Sequence, residues 1–162
     1  MRQIILLTGL MIVSGIRFIS NAQTGATDPD PGETAFIEHA DGCLNIMEDA
    51  AQKLSITGVA VIAYMPGDVA TSWISKMKVV GVLANNEANF LGIANAKAAE
   101  MARSLKDSGT SQQDPLTGEF GWQGGMIRKV KSGYLIAAFS GGTGQQDADI
   151  SNEALEWLAK YY

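Results

Sequence analysis

His39 is the only histidine of the chain and Cys43 the only cysteine. With one imidazole and one thiol, the chain by itself cannot build a 2-His-1-carboxylate iron site or a zinc site of paired cysteines. A lone cysteine makes no internal disulfide either, so stability has to come from packing. No nucleophile, histidine and orienting acid fall into a recognisable catalytic motif. His39 borders an apolar helix stripe beside Ala40, one turn from Cys43. Its ring there is either half-buried packing or a donor to a bound group. Tyr64, Met47 and Met101 carry further donor atoms, though each residue type is ordinarily plain packing. Lys97 stands on a helix flank, free to be solvated or to pair with an acid. Trp73 and Trp122 fall in or near loops, where they line a pocket or pack at a rim.

A second place where chemistry is conceivable is "FSGGTGQQDADISNEALEWL", Phe139 to Leu158. A strand, a glycine-rich turn and a helix start bring free amides and the helix dipole together, as an anion site requires. The details argue otherwise. A phosphate-binding loop needs lysine followed by Ser or Thr, whereas Gln145 and Gln146 follow the glycines, and Asp147 and Asp149 repel an anion. The expectation is structural. Gly141, Gly142 and Gly144 let the chain turn sharply from strand to helix, Ser140 or Thr143 caps, and the aspartates favour the helix start.

The elements that position these residues follow from periodicity. Apolar residues at Phe36, Ala40, Cys43, Leu44, Met47, Ala50, Ala51 and Leu54 fall in steps of three and four, predicting an amphipathic helix that ends near Ser55. "GVAVIAY" from Gly58 reads as a buried strand, and Met65-Pro66-Gly67-Asp68 as a turn. A second strand is expected over Lys76–Leu83 with one face exposed. Asn85 or Asn86 then caps a second helix, whose inner stripe runs from Phe90 to Leu105. Ser108–Gly125 reads as a long loop. "GMIRKVKSGYLIAAFS" reads as a hairpin turning at Ser132-Gly133, followed by a final helix that packs Ile150, Ala154, Trp157, Leu158 and Tyr161. Sequential hairpins predict an α+β domain, an antiparallel sheet flanked by helices.

Residues 1–22 have the layout of a secretory signal peptide. A short positive start precedes the apolar run Ile4–Ile16, and Ser20-Asn21-Ala22 ends in small residues, so cleavage is expected after Ala22. Arg17 interrupts the run, which is shorter than the ~20 residues that span a bilayer. Residues 23–33 read as a flexible leader, and 34–162 as a single domain. Losing Arg2 and Arg17 leaves 10 basic against 17 acidic residues, a balance of −7. Such a chain is a poor partner for nucleic acid or anionic lipid. Its one basic cluster, Arg128, Lys129 and Lys131, lies around a turn and reads as solvated. A periplasmic or secreted chain without stable membrane insertion is expected.

The C-terminal third carries a resemblance. Gly124-Gly125, a hairpin with Gly133 at its turn, Ser140-Gly141-Gly142 followed by Gly144 and Asp147, and a last Ala/Leu helix resemble the GlcG/HbpS-like family of small haem-binding domains. Upstream, "GVAVIA" and "ANAKAAEMA" (Ala94 to Ala102) resemble its first strand and a helix that includes the matching Lys97. Two departures stand out: Ala63-Tyr64 replace the Asp common after the first strand, and Met65–Asn86 has little of the family's wording. The resemblance implies a profilin-like α+β fold, a tendency to homo-oligomers, and a site for haem or a related tetrapyrrole in scavenging or sensing. Under that implication His39 is a candidate haem-iron ligand, Tyr64, Met47 and Met101 are alternatives, and Lys97 is a partner for a propionate or another acid. An enzyme acting on haem or on a small organic acid is the alternative function. A structural subunit without ligand is the third.

Overall fold

A computed structural model describes residues 30–110 and 121–162. The expected signal peptide, its cleavage point and most of the leader lie outside the described residues. In chain order the elements are helix α1 (Pro31–Lys53), strands β1 (Gly58–Pro66) and β2 (Ile74–Val80), helix α2 (Phe90–Ser104), strands β3 (Gly125–Val130) and β4 (Gly133–Ser140), and helix α3 (Gly144–Leu158) with a short 3-10 turn, Ala159–Tyr161. The four strands form one sheet in the order β2-β1-β4-β3, every neighbouring pair antiparallel. The α+β class read from the sequence is therefore the class observed. No described helix is long and apolar enough to cross a membrane.

The period-2 alternation of the two central strands divides the core into two halves. Ala60, Ile62 and Tyr64 of β1, with Leu135, Ala137 and Phe139 of β4, face α1 and α3. Val59, Val61, Ala63 and Met65, with Tyr134, Ile136 and Ala138, face α2. Register fixes the division, since Ile62 pairs with Ala137 and Val61 with Ala138. A strand covered on both faces has no polar side to show, which is why "GVAVIAYM" is apolar throughout. Cys43 is fully buried in the α1 half, as its place on the helix stripe predicts.

Several boundaries differ from the sequence reading. The first helix begins at Pro31, because the Asp30 carboxylate accepts from the Gly32 and Glu33 amides and proline suits the first turn. Residues 31–33, which composition gives to the leader, are therefore helical. β2 stops at Val80, before Gly81 at a φ of +81°. Neither Asn85 nor Asn86 caps α2. Asn89 does, while Asn85 folds its side chain onto the Glu87 and Ala88 amides. Tyr161, expected on the inner stripe of the last helix, is instead 43% exposed.

Candidate functional site

The best-built concavity lies where α2, residues 121–123 and the β4–α3 corner meet. It encloses about 350 Å³. Phe90, Ile93 and Trp122 make an apolar wall, and Lys97, Ser140 and Asp147 lie at its polar end with Gly142, Gly144 and Gln123 nearby. Each wall has a local cause. Phe90, Ile93 and Lys97 are spaced three and four apart along one side of α2. Residues 121–123 are brought there by Glu100, which is 96% buried and whose two oxygens accept from the Gly109 amide (2.9 Å) and the Gly121 amide (2.8 Å).

The floor is an ion pair. Lys97 Nζ donates to Asp147 Oδ2 at 2.7 Å and to the Phe139 carbonyl at 2.6 Å, with both side chains at least 96% buried. Asp147 Oδ1 accepts from the Gly142 amide at 2.9 Å. Burial pushes the Asp147 carboxyl up and the Lys97 ammonium down, in each case against the pull of the partner charge. Charges that cost this much to desolvate persist only when matched and hydrogen-bonded. Ser151 extends the network, accepting from the Phe139 amide at 3.0 Å and lying 2.8 Å from the Gly124 carbonyl. Gly124 is at a φ of +110°, and a Cβ there would meet Asp147 Cβ at 2.4 Å and Lys97 Nζ at 2.9 Å. Only glycine lets β3 pass so close to the pair.

The same corner settles the glycine loop. Thr143 caps α3 in a reciprocal pair with Gln146, so the Thr143 and Gln146 amides are satisfied internally, as Asp147 satisfies Gly142. Three of the turn's amides are thus engaged by its own side chains, and the Asp147 carboxylate beside them disfavours an anion. Thr143 is the cap, and Ser140 is not. Gly141 is held by packing, since a Cβ there would lie 2.1 Å from the Thr57 carbonyl oxygen. Gly125 and Gly133 are equally close-packed, against Met101 and the Met65 carbonyl.

The sequence candidates do not converge. The His39 ring stacks on Tyr161, with centroids 3.6 Å apart, and meets the edge of Trp157 on the far side of α1. Tyr64 is fully buried on the α1 side of the sheet, its hydroxyl 3.0 Å from Asp30 Oδ1 and 2.9 Å from Ser132 Oγ. Burial raises its pKa. Met47 and Met101 are fully buried in opposite halves of the core. Lys97 alone of these lines the pocket, with Trp122 from the pair of loop tryptophans. Trp73 belongs to a wider groove of about 680 Å³ between residues 68–73 and Ala99, Ala102 and Arg103 of α2. Apart from Ala102 its lining is exposed, and it holds no buried polar group. Among the described residues no three or more His, Cys, Asp and Glu side chains gather as a metal site would require.

Sequence reasoning missed Asp147 as the partner of Lys97, and missed Glu100 and Ser151 altogether. A signal was present. Lys97 falls between Ala94, Ala98 and Met101 on the buried stripe of α2, and Asp147 precedes Ile150, Ser151 and Ala154 on that of α3. Opposite charges at core positions of two helices ask for each other. No family model, curated protein or solved structure matches the chain.

Proposed function

We propose that this chain is an exported small-ligand-binding domain of GlcG/HbpS-like, profilin-like kind, and that its ligand sits in the Lys97 pocket. One observation carries the reading. A cavity of about 350 Å³ joins an apolar, partly aromatic wall to a fully buried ion pair. A small apolar cleft with a few fixed polar groups is the usual form of a small-molecule site, in a range that starts at ~300 Å³. The motif resemblance adds to this, and the apolar run with its small-residue junction supports export.

Haem is the ligand class that the resemblance brings. The donors of this chain do not fit an axial role in the Lys97 pocket. Neither His39 nor Tyr64 lines it: the His39 ring lies against Tyr161, away from the pocket, and the phenol is enclosed by Asp30 and Ser132. Lys97 is held in its ion pair. Readings as a haem-degrading enzyme or a ligand-free subunit gain no observation of their own.

Fluorine NMR on protein labelled with 5-fluorotryptophan tests the proposal, with the Trp122 line assigned from Trp122→Phe. Hemin and a panel of small fragments are titrated in turn. A saturable shift of the Trp122 line, abolished when Ile93→Trp fills the cavity, is expected for fragments of suitable size. For hemin, a Soret change that survives His39→Ala is expected if any band forms. A Trp122 line indifferent to every compound would overturn the reading, and a hemin band lost specifically in folded His39→Ala would move the site to α1.

A further inference from the structure

The polar end of the pocket has hydrogen-bonding capacity left over, and its kind identifies a ligand class. This step rests on the proposed pocket. Ser140 pairs with Val59, whose side chain faces α2, so the serine faces α2 as well. It is 97% buried and lines the cavity, and its hydroxyl makes no hydrogen bond to another described residue. Lys97 has three protons to donate. Two go to Phe139 O and Asp147 Oδ2, and among the described residues the third has no acceptor. Buried polar groups are nearly always partnered, and each exception asks for a reason.

The Asp147 carboxylate is the more engaged side of the site. Asp147 Oδ1 takes the Gly142 amide and Oδ2 the Lys97 ammonium, so the carboxylate offers a ligand little. The charges of the floor also cancel. A ligand carboxylate would bring a second negative charge beside Asp147 with no cation of its own. A neutral oxygen with two lone pairs meets both free donors without that penalty. The wall of Phe90, Ile93 and Trp122 asks for an apolar or flat aromatic body behind the oxygen, and about 350 Å³ keeps it small. We infer that the pocket takes small, uncharged carbonyl compounds, the carbonyl oxygen accepting from Ser140 Oγ and Lys97 Nζ and the apolar body lying against Trp122.

The experiment compares acetophenone with benzoate, two probes of similar size that differ in charge, on the assigned Trp122 fluorine line. Acetophenone should shift the line saturably, and benzoate should bind at least about tenfold more weakly. Ser140→Ala, with its melting curve checked against the parent, should weaken acetophenone by about tenfold, the effect of one uncharged hydrogen bond. Benzoate binding as well as acetophenone, or acetophenone indifferent to Ser140→Ala, overturns the inference while the shifted line keeps the pocket as a ligand site. The comparison of the two probes needs no variant, so a poorly folding Ser140→Ala leaves it decisive. If no compound, hemin included, moves the line, the pocket reading fails and this inference goes with it.

Discussion

Lys97 and Asp147 show how one pair of residues can both define a site and endanger the fold. Removing one member strands the other as a buried, uncompensated charge. Lys97→Met should therefore cost about 3–5 kcal/mol in urea denaturation, while Lys97→Met with Asp147→Leu should recover much of the loss. A single variant that loses under ~1 kcal/mol would mean that water already reaches the pair. Cys43 gives a prediction in pH. Burial pushes its thiol from an ordinary 9.0 up to about 12, so the folded chain keeps a proton that the unfolded chain releases. That stabilisation is whole below pH 9 and is lost as the pH rises towards 12, at up to about 1.4 kcal/mol per unit. The stability of the parent should fall more steeply than that of Cys43→Ala between pH 9 and 11. Other groups titrating in that range are shared by the two proteins and drop out of the difference, except for the part of the Tyr162 shift that comes from the Cys43 charge. Parallel curves would show that the thiol is wet.

At the scale of elements, the β4–α3 corner does the positioning. Thr143 starts α3 at the point where Asp147, one turn on, meets Lys97 across the sheet end. Thr143→Ala should cost about 1 kcal/mol by losing the cap. It should also loosen the corner, seen as faster amide exchange at Gly142 and Asp147 than in the parent. Exchange unchanged there would show that the ion pair alone holds the corner. The elements themselves were largely legible, because α1 carries strong periodicity, β1 an unbroken apolar run and the β3–β4 hairpin a glycine turn. What failed was local and physical. β2 was read two or three residues late because half of it faces solvent and Lys/Val alternation has no sharp end, whereas Gly81 ends it by conformation. The α2 cap was misplaced because Asn85, Asn86 and Asn89 are chemically equal, and only the turn made by Asn85 selects among them. The site was less legible still. Its parts come from α2, residues 121–123 and the β4–α3 corner, and one-dimensional spacing cannot say that Lys97 and Asp147 share a floor.

At the scale of the whole molecule, coverage of the sheet is uneven, and that is where self-association is to be sought. The α1 face is covered out to the edge, where Lys76 and Lys78 of β2 form ion pairs with Asp41 and Glu48 of α1. On the other face α2 packs on β1, β4 and β3, and no described helix covers β2 there. Met77 and Val79, which pair with Val61 and Val59, are 41% and 39% exposed, and Val69, Trp73, Val82 and Leu83 extend the apolar surface around them. Among the described residues β2 is also an edge strand, with no strand paired to its outer side. Edge strands are normally blunted by charge, and here both lysines point to the opposite face and are neutralised. A second copy related by a two-fold axis would lay an identical strip against this one, which is what an isologous interface requires. The chain is therefore expected to sediment as a dimer or a higher even assembly at micromolar concentration. Met77→Lys with Val79→Lys should return it to monomer while the melting curve of the monomer stays cooperative. A parent chain that already runs as a monomer in this range would leave the strip to another partner, and a double variant of unchanged mass would place the interface elsewhere on the surface.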